Sequence, residues 1–568
     1  MNKKVHSIER RLIALLVFIF ICVAGIVGRL FFVQAVSAAK YEKEAEQQRL
    51  CIIEIPPKRG SILDRNGNEL AVSVMMDTIY ATPYLIEDRK QFAKKIAPIL
   101  KVDEQELLNK LTKQGSFAYL ARKADSKTVQ EVKKFVQDNH IRGIGFLKES
   151  KRYYPNESLG AHVLGFAGMD NKGLAGLELY YDDVLYGKPG RIEAERDANG
   201  RPIPQSVQRS YKAEDGSDIR ISIDREIQYE VETELAAAVE KYKAKSGSVI
   251  VMNPKNGEIY AMANVPCYNP NQIKDTLNDG NSRNIAVTDL YEPGSTMKAV
   301  IACGALQEGL CNPSTEFFLE PEIRIGSKSI KDAHTRPAVN YTLSKIIQES
   351  SNVGMVKVGL MMGRTRISAY LEKFGFNQKT GIDFPGEAKG FYPKAENWSQ
   401  MSLANIPFGQ GISTTQLRMV EAFATIANDG IPVKPHFLVD VTDPRGRVTR
   451  RAAVIQEQRV IDAQTCRQMK TILENVVLDG TGTQAKVLNY RVGGKTGTAQ
   501  KAKVHGRGYE KDKFVASFIG MVPVQDPELV ISVVIDEPQE SIYGGSVAAP
   551  VFSRIAEFTL RYLKIPPQ

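Results

Sequence analysis

Tyr291-Glu292-Pro293-Gly294-Ser295-Thr296-Met297-Lys298 puts a hydroxyl and an amine three residues apart. Pro293-Gly294 is a turn signal, and the apolar run Ala299 to Leu306 follows it. The stretch predicts a loop that breaks into a helix at Ser295. Positions i and i+3 share a helical face, so Ser295 and Lys298 are expected to meet. A serine hydroxyl is a weak nucleophile until a base takes its proton. A lysine is that base only where burial or neighbouring positive charge lowers its pKa. The run after Lys298 is apolar on every side, as in a helix enclosed by its domain, and a helix N-terminus is itself electropositive. Both favour the neutral amine. The spacing alone does not decide the chemistry, because Ser37 and Lys40 repeat it with no catalytic context.

Two later motifs supply that context. Ser350-Ser351-Asn352 interrupts a helical stretch, Leu343 to Met361, and Lys495-Thr496-Gly497-Thr498-Ala499-Gln500 continues a strand after Val492-Gly493-Gly494. Each has a decoy, Ser282-Arg283-Asn284 and Lys379-Thr380-Gly381. The second decoy runs into Ile382-Asp383-Phe384-Pro385-Gly386 and reads as a loop, whereas the copy at Lys495 has the flanking glycines of a strand that something approaches closely. Around these motifs Glu226 to Tyr242 reads as a helix. Gly247–Pro254 and Glu258–Ala263 read as strands about a Lys255-Asn256-Gly257 turn, and Phe514–Val522 and Leu529–Ile535 as two more. The expected class is α+β, with helices packed on an antiparallel sheet.

At 568 residues the chain exceeds one ordinary core. Its net charge of +10 is a generic basic surface at this length, and no nucleic-acid module is present. Cys22, Cys51, Cys267, Cys303, Cys311 and Cys466 show no C-x-x-C pair, and no H-E-x-x-H occurs, so neither a metal nor another cofactor is expected. Lys3, Lys4, Arg10 and Arg11 precede the apolar run Leu12 to Gly28, which resumes after Arg29. With the basic cluster before it, this segment predicts a single-pass anchor with a cytoplasmic N-terminus and the body outside the membrane. It exceeds the h-region of about 7–15 residues of a cleaved signal peptide, the competing reading. Lys40 to Gln48 reads as a charged stalk, and Glu87 to Asn139 as one or two amphipathic helices. The expected divisions are 1–11 in the cytoplasm, 12–34 in the membrane, 41–217 as a mixed α+β region without an obvious nucleophile, and 218–568 as the catalytic domain.

Ser-x-x-Lys, Ser-x-Asn and Lys-Thr-Gly in this order resemble the penicillin-binding proteins and serine β-lactamases. The chain is most similar to class B penicillin-binding proteins of the septal, FtsI-like type. Arg59-Gly60 through Asp64-Arg65, Arg152 through Pro155, and Gly173 through Gly176 and Glu178 match the motifs of that class's elongated α+β pedestal, or dimerisation-type, domain. Tyr543 through Phe552 points to the septal subgroup, while Ala299 departs from the proline common there. The resemblance implies a peptidoglycan D,D-transpeptidase with Ser295 as nucleophile, Lys298 as base, Ser350 as proton relay and Asn352 holding lysine and substrate. Lys495 with Thr496 or Thr498 would bind the substrate carboxylate, Gly497 would let the donor lie close, and the backbone N–H groups of Ser295 and Thr498 would form the oxyanion hole. Implied partners are stem peptides ending in D-Ala-D-Ala, an amine acceptor, β-lactams as covalent inhibitors, and a SEDS-type glycosyltransferase with other divisome membrane proteins. The implied location is the cytoplasmic membrane with the catalytic domain on the periplasmic side. The rival readings are an elongation-type transpeptidase, a β-lactamase, against which stands the missing Glu-x-x-Leu-Asn stretch, and a non-catalytic β-lactam-binding scaffold.

Overall fold

A computed structural model describes residues 2–42, 50–113, 117–196, 202–272, 281–503 and 508–567. Residues 43–48 of the expected stalk lie outside the described residues. The chain forms two compact units: 1–57, 76–149 and 188–214 make the first, and 58–75, 150–187 and 215–568 the second. Compactness therefore does not follow the expected 217/218 boundary. The motif segments at Arg59, Arg152 and Gly173 belong with the catalytic unit.

In the first unit, the helix Asn2–Phe31 exposes its apolar side chains, Phe18, Phe20 and Ile21 among them. The apolar segment Ile8–Val36 is 29 residues long, and its most apolar 18-residue stretch has a mean hydropathy of 2.7; the segment exceeds the roughly 20 residues needed to span a bilayer. Leu50–Ile55, Gly190–Arg196 and Pro202–Tyr211 form a three-stranded antiparallel sheet. The segment read as one or two helices holds three, Arg89–Leu100, Glu104–Thr112 and Ser126–Asp138, and a strand, Ala118–Ala124, between the last two. That strand buries Ala118 and Leu120 but exposes Tyr119, a period of two that the helical reading overlooked. Asp88, Asp103 and Asp125 each accept a bond from the backbone at the start of these helices.

The second unit is organised by one sheet. Arg225–Lys241 (α1) leads into Ser246–Met252 (β1) and Ile259–Val265 (β2). Met297–Gln307 (α2), Leu343–Gln348 (α3) and Asn352–Lys373 (α4) follow. Gly493–Ala502 (β3), Tyr509–Val522 (β4) and Leu529–Asp536 (β5) complete the sheet, and Ala549–Tyr562 (α5) closes the fold. The strand order is β2-β1-β5-β4-β3, every neighbour antiparallel. Alternate residues of β1 enter two different cores: Val249 and Val251 pack with α1 and α5, while Ile250 and Met252 pack on the side that holds α2. Helices thus cover both faces of the sheet, and among the described residues β3 is an edge strand with its outer backbone groups free of a ladder partner. Helix α2 is buried from Met297 to Leu306 on all sides, as its composition requires.

The quoted motifs at Arg59, Arg152 and Glu178 converge on one buried carboxylate. Arg59 Nε donates to Glu178 Oε2 at 2.6 Å and Arg152 Nε to Oε1 at 2.6 Å, with Tyr154 Oη at 3.2 Å. Arg59 also reaches Asp182 at 2.5 Å and the Asn171 carbonyl at 2.8 Å, Arg152 reaches the Gly60 carbonyl at 2.6 Å, and Gly173 N donates to Asp182 at 2.7 Å. Gly176, at φ 57°, opens the short helix that carries Glu178, and Pro155 is half-buried in the turn after Arg152. Asp64 folds the Asn66-Gly67 turn by accepting from Asn66 N and Asn68 N, both 2.8 Å, and Arg65 lies over the Tyr260 ring at 4.2 Å. These residues hold the fold together and carry no reactive group. Burial alone would raise the Glu178 carboxyl, but the two guanidinium groups hold it below its ordinary 4.5. Its contribution to stability is therefore complete above pH 4.5 and is lost as pH falls through the depressed folded value. Glu178→Ala, which strands two buried arginines, is expected to cost about 3–5 kcal/mol. Urea unfolding followed by the fluorescence of Trp398, the single tryptophan and a buried one, measures it.

Candidate active site

The nucleophile turn differs slightly from expectation. Gly294–Thr296 is a 3-10 turn, and the α-helix begins at Met297. Ser295 is half-exposed at this turn, while Lys298, the second residue of the buried helix, is fully enclosed. Its amine donates to Asn352 Oδ1 at 2.8 Å and to the Ser350 carbonyl at 2.5 Å, and it lies 3.2 Å from Ser350 Oγ. Among the described residues none of its hydrogen bonds runs to Ser295. The structure thus joins Lys298 to the second motif, with Ser295 on the same segment.

Ser350 is placed by two helix ends at once. It follows α3 at φ 57°, the left-handed conformation that usually calls for glycine. Ser350 N donates to the Ile347 carbonyl at 3.2 Å and Ser351 N to the Ile346 carbonyl at 2.9 Å, the pairing of a Schellman cap. Ser351 then caps α4, accepting from Gly354 N at 3.0 Å. This reversal turns both the carbonyl and the hydroxyl of Ser350 toward Lys298. A non-glycine residue held there costs about 1–2 kcal/mol, consistent with strain stored where chemistry needs a side chain.

The third motif approaches from the sheet edge. Lys495 is fully buried, and its amine donates to Ser350 Oγ at 2.9 Å. Ser350 Oγ therefore lies between two amines. Thr496 is buried, with its hydroxyl 2.8 Å from Thr481 Oγ1, whereas Thr498 is half-exposed and accepts from Gly544 N at 3.2 Å. The space at Gly497 is already filled: a Cβ there would lie 2.3 Å from Ser517 Oγ and 3.2 Å from Thr296 Cγ2. Its missing side chain seats the nucleophile turn against β3 and does not serve to admit a donor, which corrects the role expected for it. Gly544, in the quoted Tyr543–Phe552 segment, packs backbone to backbone on the same strand, since a Cβ would sit 2.4 Å from the Gly497 carbonyl oxygen.

The electrostatics follow from burial. Burial first, and the neighbouring charge of Lys495 second, push the Lys298 amine well below its ordinary 10.5, against the opposing pull of Asp332. Burial brings Lys495 down to about 7. Asp332 itself had no motif to announce it. It accepts from Ser351 Oγ at 2.9 Å, from Val353 N at 3.0 Å and from Arg336 Nε at 2.7 Å, so it pins the turn that carries Ser350. Among the described residues no group of three or more His, Cys, Asp or Glu side chains is arranged to hold a metal. The decoys lie elsewhere: Lys379-Thr380-Gly381 is a loop in which Thr380 bonds Glu387, and Asn284 precedes a short helix, Ile285–Thr288.

Known proteins share this arrangement. The transpeptidase domain model of penicillin-binding proteins matches residues 247–557, and the penicillin-binding protein dimerisation domain model matches 54–221. The chain is 34% identical to stage V sporulation protein D of Bacillus subtilis (strain 168), over 99% of this chain and 87% of that protein. It is 33% identical to the peptidoglycan D,D-transpeptidase FtsI of Escherichia coli (strain K12), over 97% and 91%. The crystal structure of penicillin-binding protein 3 from Mycobacterium tuberculosis, complexed with aztreonam, superposes with a TM-score of 0.72 at 28% identity, covering 91% of this chain and 98% of that one. The chain belongs to the class B penicillin-binding proteins, of the FtsI type.

Asp332→Ala removes a charged acceptor from two buried donors, a loss of about 2 kcal/mol. It is expected to slow acylation by a penicillin roughly 10–30-fold, measured as the second-order rate constant.

Proposed function

We propose that the chain is a peptidoglycan D,D-transpeptidase in which Ser295 carries the acyl group. The observation that carries this is Ser350 Oγ, held by Lys298 on one side and Lys495 on the other, beside the turn that presents Ser295. Lys298, neutral through burial, takes the proton of Ser295 as Oγ bonds to the penultimate D-Ala carbonyl. Asn352 orients that amine. The oxyanion forms against the backbone N–H groups of Ser295 and Thr498, each such donor worth on the order of 3 kcal/mol. The edge position of β3 leaves backbone groups free to take an extended donor alongside it. Collapse breaks the C–N bond, and the proton passes through Ser350 to the departing D-Ala nitrogen. An incoming amine then attacks the ester carbonyl: its C–N bond forms, the ester C–O bond to Ser295 breaks, and the proton the amine loses returns to Ser295 Oγ by way of Lys298. Lys495 supplies positive charge for the terminal carboxylate. Of the two threonines, Thr498 has the hydroxyl accessible to that group, since Thr496 is buried on Thr481.

The apolar N-terminal helix serves as a single-pass anchor in the cytoplasmic membrane, with residues 1–11 in the cytoplasm and the catalytic domain outside. The residues 41–217 act as pedestal and 218–568 as transpeptidase domain, with β-lactams as covalent inhibitors and a SEDS-type glycosyltransferase as membrane partner. The septal role is supported by similarity to FtsI. A sporulation-specific wall role is the second reading, favoured by the similarity to stage V sporulation protein D. Localisation in growing cells separates them: enrichment at midcell supports the first.

A fluorescent penicillin is expected to label the purified chain covalently, and Ser295→Ala to abolish the label. Label retained in that variant contradicts the assignment of the nucleophile.

A further inference from the structure

The nucleophile turn carries a second charged group that acylation leaves unused. Glu292 lies three residues before Ser295 and is partly buried. Its Oε1 accepts from Gly411 N at 3.0 Å and from the Tyr509 hydroxyl at 3.3 Å, both neutral donors. Its Oε2 is shut off from water and has no hydrogen-bond partner among the described residues. No cation among the described residues offsets its charge, and burial pushes its carboxyl up. A polar atom left in that state inside a folded protein calls for an explanation.

Its position along the sheet edge supplies one. Tyr509 is the register partner of Ala502, at the opposite end of β3 from Lys495. A donor stem peptide that places its terminal carboxylate by Lys495 and Thr498, and its reacting carbonyl at Ser295, leads its upstream residues past Gln500 toward Ala502. The residue immediately before the two D-alanines is the third of the stem, and its side chain then passes the Glu292–Tyr509 pair. Gln500 does not compete for that carboxylate, because its amide nitrogen donates to the Glu510 carbonyl at 2.7 Å.

We propose that Glu292 is the residue that reads a positive charge on the side chain of the third stem residue of the acyl donor, and so selects donors whose third residue is a diamino acid with a free amine. This rests on the transpeptidase reading. Among the described residues the charge is uncompensated, and the ammonium group of the donor satisfies it. The rotation needed to present Oε2 is small, since a carboxylate turns freely about its terminal bond and its contact with Tyr509 is long.

The test uses the full-length chain in detergent and two soluble N-acetylated stem peptides ending in D-Ala-D-Ala, one with lysine and one with norleucine at the third position. Acylation by each is read from competition with a fluorescent penicillin. The wild type is expected to favour the lysine peptide about tenfold, the lower range for a hydrogen bond to a charged group. Glu292→Gln is expected to bring the ratio within about twofold of unity by weakening the lysine peptide alone, and Glu292→Asp to restore part of the preference. A wild-type ratio near one, or a Glu292→Gln variant that loses both peptides equally, overturns the proposal and leaves Glu292 as a clamp on the turn. A wild type that takes the penicillin but neither peptide overturns the transpeptidase reading, and this one with it.

Discussion

An ammonium group shut away from water loses far more hydration than a few hydrogen bonds return, and proteins relieve that penalty by giving up the proton. Lys298 is in this position. Its amine sits at zero exposure on a helix buried along its whole length, facing a serine hydroxyl, a serine carbonyl, an asparagine oxygen and a second buried lysine. Among the described residues no carboxylate is hydrogen-bonded to it, and Asp332 pulls on it only at longer range. Everything that makes the site reactive follows from that enclosure. A neutral amine accepts a proton from Ser295, whereas a solvated lysine at neutral pH has no lone pair to offer.

The fold exists around this constraint. Two cores on opposite faces of one antiparallel sheet bury α2 deeply enough to push its lysine well below the ordinary 10.5, while the edge position of β3 keeps one side of the site open. The strained turn at Ser350 is fixed by the cap of α3 and, through its neighbour Ser351, by the cap of α4 and the Asp332 carboxylate. Arg59, Arg152 and Glu178 repeat the theme of buried charge with the opposite outcome: there, ion pairing keeps the charges in place.

Much of this was legible in the chain itself. Burial of α2 was written in an apolar run with no polar face, and four strands of the sheet in short apolar runs bounded by turns. The three motifs were readable because their chemistry is local, a hydroxyl or an amine beside a turn. The helical reading of residues 87–139 missed the strand Ala118–Ala124 because seven residues flanked by helices carry too short an alternation to stand out. The role of Gly497 was misread because a glycine in sequence does not say which side of the strand is crowded. Asp332 and Glu292 were invisible for a different reason. Each acts through backbone donors and hydroxyls brought to it from elsewhere in the fold, and a lone acidic residue in a loop looks like any other. The segments at Arg59 and Arg152 were recognised as motifs, yet that they meet on Glu178 is a tertiary fact with no periodicity to reveal it.

The pH dependence of acylation by a penicillin tests the central claim most directly. The second-order rate constant for the wild type, taken between about pH 6 and pH 11, reports the protonation of the free enzyme's base. If Lys298 is neutral through burial, the rate reaches its plateau far below the ordinary lysine value of 10.5. A rate that keeps rising tenfold per pH unit up to 10.5 would mean that Lys298 is charged in the folded protein, and would contradict the account.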